Sequence, residues 1–99
     1  MKIRPSLLIL LLSPLATSVI AYAGHNLATN AKVTIEQARA AALKARPGTI
    51  SAEELEKEKG GSGLRYSFDI KSNKTVYEVG IDALTGAVLE NSKEGPHPD

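Results

Sequence analysis

Two alternating runs limit what this chain can fold into. From Leu64 to Lys71, the residues Leu64, Tyr66, Phe68 and Ile70 fall on one side, and Arg65, Ser67, Asp69 and Lys71 on the other. From Lys74 to Asp82, Tyr77, Val79 and Ile81 take the apolar side, with Glu78 and Gly80 opposite. Successive side chains of a strand point to opposite faces, so each run reads as a half-buried strand. Ser72-Asn73 predicts a tight turn between them, since Asn tolerates positive φ. After Asp82-Ala83-Leu84-Thr85-Gly86 the short run Ala87 to Glu90 predicts a further strand. In that turn Asp82 is expected to accept hydrogen bonds from its own backbone amides, and Gly86 to supply a left-handed residue.

An apolar sheet face has to be covered, and one helix is available to cover it. Thr34 followed by Gln37 has capping-box spacing. Ile35, Ala38, Ala42 and Ala45 then recur at the period of one helical face. The residue before Pro47 avoids the helical region and Gly48 permits a reversal, so Thr34 to Arg46 is predicted as a helix. Thr49 to Lys59 stays open. Ser51 followed by AEELEKEK reads as a short charged helix; as a strand, Ile50 and Leu55 have opposite parity and require a bulge near Glu53 or Glu54. Gly60-Gly61-Ser62-Gly63 is a flexible connection in either case. Face counting gives an α+β fold, in which one N-terminal helix packs on a three- to four-stranded antiparallel sheet. The domain would run from Thr34 to Glu90, with a flexible lead-in over 24–33 and a disordered tail over 91–99. A domain this small lies near the lower limit for independent folding.

Residues 1–23 are expected to be a cleavable signal peptide. Lys2 and Arg4 supply a cationic start, Leu7 to Leu12 an apolar run, and Ala21-Tyr22-Ala23 the small-x-small pattern that a signal peptidase reads. The expected cut lies between Ala23 and Gly24. An uncleaved anchor is the competing reading, but Ser13, Pro14, Thr17 and Ser18 dilute a segment already short for spanning. The predicted destination is periplasmic or secreted, with membrane contact only through the leader. Removing Lys2 and Arg4 from 12 cationic residues leaves 10 against 11 acidic ones, turning a net charge of +1 into −1. A near-neutral domain with interspersed charges excludes nucleic acid as a partner. The absence of cysteine excludes disulfides, a lipoprotein anchor, thiolate metal sites and a cysteine nucleophile.

The strings TIEQARAAALKARPGTISAEEL, LRYSFDI and TVYEVGIDALTGAVLE resemble the PepSY family. Its domains occur in propeptides of thermolysin-like secreted proteases and as small exported bacterial proteins. Val76-Tyr77-Glu78-Val79, continuing through Ile81-Asp82-Ala83-Leu84-Thr85-Gly86-Ala87-Val88-Leu89, is the most specific part. The resemblance implies a helix on an antiparallel sheet and tips Thr49 to Lys57 towards strand. It also implies a role in restraining or assisting peptidases outside the cytoplasm. With no protease sequence following, the chain is expected to be a free-standing member.

Catalysis needs a positioned acid, base or nucleophile. His25 and His97 both fall outside the predicted domain, so its serines and threonines lack an imidazole to activate them. Glu53, Glu54, Glu56 and Glu58 alternate with Lys57 and Lys59 and read as a solvated face; no calcium-loop spacing is present. His25 near a new amino terminus offers at most a weak copper or nickel chelate. No catalytic residue, cofactor or metal ligand is therefore assigned, and the binding surface stays unassigned. The expected function is a non-enzymatic module binding an exported peptidase or other envelope protein. The alternatives are a sensory or envelope accessory domain for a small ligand or receptor, and a chaperone-like folding aid.

Overall fold

The computed structural model describes residues 22–95; the predicted leader up to Ala21 and the last residues of the predicted tail, 96–99, lie outside them. A 3-10 helix, His25–Asn30, precedes α1, Ile35–Ala45. Four strands follow: β1 Thr49–Lys57, β2 Leu64–Ser72, β3 Thr75–Asp82 and β4 Val88–Lys93. They form one antiparallel sheet in the order β1-β2-β3-β4, the meander that short connections between antiparallel neighbours favour. The α+β architecture expected from the alternation is present, with four strands.

Helix α1 starts as its sequence dictates. Thr34 Oγ1 accepts from the Gln37 amide at 3.1 Å, and the Thr34 amide donates to Gln37 Oε1 at 2.9 Å. Ala38 and Ala42 are fully buried on the sheet. Their small side chains let the helix axis approach Tyr66, Phe68, Ile70, Val79 and Ile81, which fill the space below together with Leu55, Leu64 and Ala83. Tyr66 is 1% exposed, and its hydroxyl donates to the Val33 carbonyl at 2.6 Å. Tyr77 departs from full burial: it is half-buried at the end of the helix, with the Arg46 guanidinium 3.8 Å from its ring centroid.

Three local expectations change. The stretch 49–57 is a strand, but its bulge falls at Ser51, between the Ile50–Ile70 and Ala52–Asp69 pairs, rather than near Glu53 or Glu54. The extra residue there flips parity, so that Ile50 and Leu55 both face the helix. Glu53 consequently faces the helix too, and Arg39 grips it through Nε at 2.9 Å and Nη2 at 2.7 Å. The β2–β3 turn is centred on Asn73-Lys74, since Ser72 pairs with Thr75; Asn73 takes the left-handed conformation at φ 60°. Moving the turn by one residue slides the register by two, which preserves both faces. Strand β4 runs past Glu90, taking Asn91, Ser92 and Lys93 out of the expected disordered tail. Asn91 explains the extension: its Nδ2 donates to the Ala45 carbonyl and its Oδ1 accepts from Arg46 Nε, closing the end of α1.

Residues 24–33, expected to be a flexible lead-in, are instead folded against the sheet. Leu27, Ala31 and Val33 pack on the core, and the amides of Lys32 and Val33 both donate to the Ala83 carbonyl at 2.9 Å. A short apolar count hid this, because one leucine and two hydrogen bonds suffice to hold a segment this brief.

Candidate interaction surfaces

The sheet face away from α1 carries Glu54 and Glu56 from β1, Arg65, Ser67, Asp69 and Lys71 from β2, Glu78 and Gly80 from β3, and Glu90 and Ser92 from β4. Alternation marks this face as polar, yet it is not uniformly wet. Arg65 is 8% exposed and Ser67 is 7% exposed. Arg65 lies flat over Gly80, the one strand position with no side chain to obstruct it. From there it donates to the Lys59 carbonyl at 3.0 Å and to Glu90 Oε1 at 3.3 Å. Ser67 Oγ donates to Glu56 Oε2 at 2.7 Å.

The centre of the face is acidic. Asp69 and Glu78 are directly opposed across β2 and β3, an arrangement of like charges that weakens a sheet. Glu94 closes on the same point, so that carboxylate oxygens of Asp69, Glu78 and Glu94 lie within 4.8 Å of one another. Burial pushes the Glu78 carboxyl above its ordinary value, and the carboxylates of Glu90, Asp69, Glu94 and Glu56 add to the rise. A shallow depression of about 160 Å³ beside this pair is lined by Ala52, Glu53, Glu54, Ser67, Asp69 and Glu78. Hard oxygen donors of this kind suit a hard cation better than a soft one, but surface carboxylates also gather without any ion. Sequence reasoning left this surface unassigned. The Asp69–Glu78 opposition was accessible from the hairpin, had its turn been centred on Asn73-Lys74.

At one end of the sheet Asp82 is 1% exposed and serves as a hub. Its Oδ1 accepts from the amides of Leu84 and Thr85 and from Ser62 Oγ; its Oδ2 accepts from the Ser62 amide. Burial alone would raise this carboxyl, but the Ser62, Leu84 and Thr85 hydrogen bonds outweigh it and hold it at about 2. Gly86 sits at φ 83° in the turn that Asp82 organises. The hub is structural, as its sequence context predicts, and it also pins the glycine-rich β1–β2 connection through Ser62.

The hydrogen-bonded hydroxyls of Ser62 and Ser67 therefore contact carboxylates rather than imidazole. His25 lies at the start of the 3-10 helix, its ring edge-on to Tyr22 with centroids 6.2 Å apart. Ala23 and Gly24, the expected leader junction, lie against the outer edge of β1, where Ala23 forms an isolated parallel bridge with Glu54.

A profile of the family described as peptidase propeptide and YPEB domain, PepSY, matches residues 32–91, more than half of the chain. The chain belongs to the PepSY family. The PepSY match begins just before α1 and ends within β4, so it spans the helix, β1 to β3 and the first part of β4. PepSY is a family of propeptide and regulatory domains that are generally non-catalytic. No curated protein and no solved structure gives a significant match. Among the described residues no helix is long and apolar enough to cross a membrane.

Proposed function

We propose that this PepSY domain acts outside the cytoplasm as a non-catalytic regulator that docks on an exported peptidase and limits its activity. The family supports a propeptide-like, peptidase-regulatory module. The sequence of residues 1–23 supports export and processing. The acidic sheet face carries the docking role. Folding alone gains nothing from opposing Asp69 to Glu78, whereas a cationic patch on a partner would relieve that repulsion on contact. The depression on this face is smaller than the roughly 300 Å³ at which small-molecule sites begin, so this face suits a protein contact better than an enclosed small ligand.

The test is to titrate the exported, purified protein into secreted thermolysin-like peptidases and follow peptide hydrolysis. Saturable inhibition is expected. The variant E54K/E94K, which reverses two charges on this face, should weaken inhibition at least tenfold at low salt while leaving the circular dichroism unchanged. Turnover unaffected by the wild-type protein would remove the proposal.

A further inference from the structure

The outer edge of β1 is already occupied, by residues of the predicted leader. The Leu55 amide points away from β2 and donates to the Ala23 carbonyl at 2.9 Å. Tyr22 packs on the core beside it, with its ring edge-on to Tyr66 at a centroid separation of 6.4 Å. The His25 amide donates back to the Tyr22 carbonyl at 3.0 Å. Gly24 follows at φ 84° so close to β1 that a Cβ there would overlap the Leu55 carbonyl oxygen. Ala23 alone forms a parallel bridge, to Glu54, and the chain turns at Gly24, so an aromatic residue and a small one meet the strand edge just before a turn. Tyr22 and Ala23 are also the last two residues before the cut that the small-x-small pattern predicts.

We infer that the β1 edge at Leu55 is a docking site for an aromatic–small segment of another protein, filled by Tyr22-Ala23 in the unprocessed chain and vacated by cleavage at Ala23–Gly24. Hydrolysis adds water across that peptide bond, leaving a carboxylate on Ala23 and an amine on Gly24. It removes the partners of the Leu55 and His25 amides and uncovers one edge of Tyr66. The 3-10 helix keeps Leu27 on the core, and the residues after it keep the two hydrogen bonds from Lys32 and Val33 to Ala83. The result is an edge with one unpaired donor beside an aromatic shelf, which together can hold a main-chain carbonyl and a neighbouring ring. The occupant is defined by what fits now: a segment that bridges β1 in parallel through one residue, with an aromatic side chain immediately before the residue whose carbonyl meets Leu55. The inference depends on leader cleavage, and its partner need not be a peptidase.

The experiment uses the full chain expressed with its own leader in an exporting bacterial host, labelled with nitrogen-15 and purified from the envelope fraction. Intact mass should show Gly24 as the mature amino terminus. The probe is an acetylated, amidated peptide with the sequence of residues 18–23. It should shift the Leu55 amide resonance saturably in the processed protein and leave it unmoved in the unprocessed chain. The Y22A version of the peptide should bind about five- to tenfold more weakly, the loss expected for one edge-on aromatic contact. A mature protein that retains Tyr22 overturns the inference, as does a processed protein whose Leu55 amide ignores the peptide. Because the readout is the peptide complex, peptidase inhibition can fail independently of it.

Discussion

Asp82 shows how much one side chain holds at the residue scale. It joins the β1–β2 connection to the turn after β3 through one carboxylate and four hydrogen bonds. Replacing it with alanine should cost about 3 kcal/mol, because the Ser62 and turn amides lose a charged acceptor in a buried site. Urea denaturation measures that loss directly. The pH dependence has a definite sign. The folded carboxyl sits at about 2, against an ordinary value of 3.8, so the ionised form is favoured in the fold. Its contribution is fully present above about pH 4 and disappears as pH falls through 2. D82N should therefore lose its deficit relative to wild type across that window. Tyr66 works in the opposite direction. Burial and the neighbouring Tyr22 raise its hydroxyl to about 12, so its contribution is present below pH 10 and is lost as pH rises towards 12.

At the element scale the helix–sheet contact and the β1 bulge set the tolerances. Ala38 and Ala42 are flush with the sheet, leaving no room for longer side chains. A42L should destabilise by about 1–3 kcal/mol, the cost of overpacking a close-packed contact, and thermal unfolding would show it. An equivalent change at exposed Lys44 should be nearly silent. The bulge at Ser51 matters because it places Glu53 against Arg39. Parity along β1 shows that a bulge is needed somewhere between Ile50 and Leu55, but every position between them satisfies the count. Pairing with β2 chooses Ser51, whose hydroxyl can then donate to the Asp69 carbonyl.

For the whole molecule, the distribution of charge over the sheet separates stability from interaction. The Glu78 carboxyl is raised first by burial and then by its carboxylate neighbours. A raised carboxyl costs stability once it ionises, so the penalty is absent at low pH and grows as pH rises through its folded value. E78Q should therefore raise the melting temperature at pH 7 by an amount corresponding to about 0.5 kcal/mol, and the gain should vanish near pH 4. Added salt should shrink it too, through screening. A melting temperature lowered by E78Q at pH 7 would mean that the acidic face stabilises the fold rather than serving a partner.

The sequence by itself determined the capped helix, both alternating strands, the apolar face of each element and the layer order, since these follow from periodicity over neighbouring residues. Asp82 and Gly86 were legible for the same reason: a turn is a local object. The tertiary structure alone decided that β1 bulges at Ser51, that Asn91 extends β4 by closing α1, that Arg65 lies buried on a polar face, and that residues 22–33 pack on the sheet. Each of these depends on a partner many positions away. Pairing energies between distant segments leave no periodic trace in either segment, so no pattern within a single stretch of chain can reveal them.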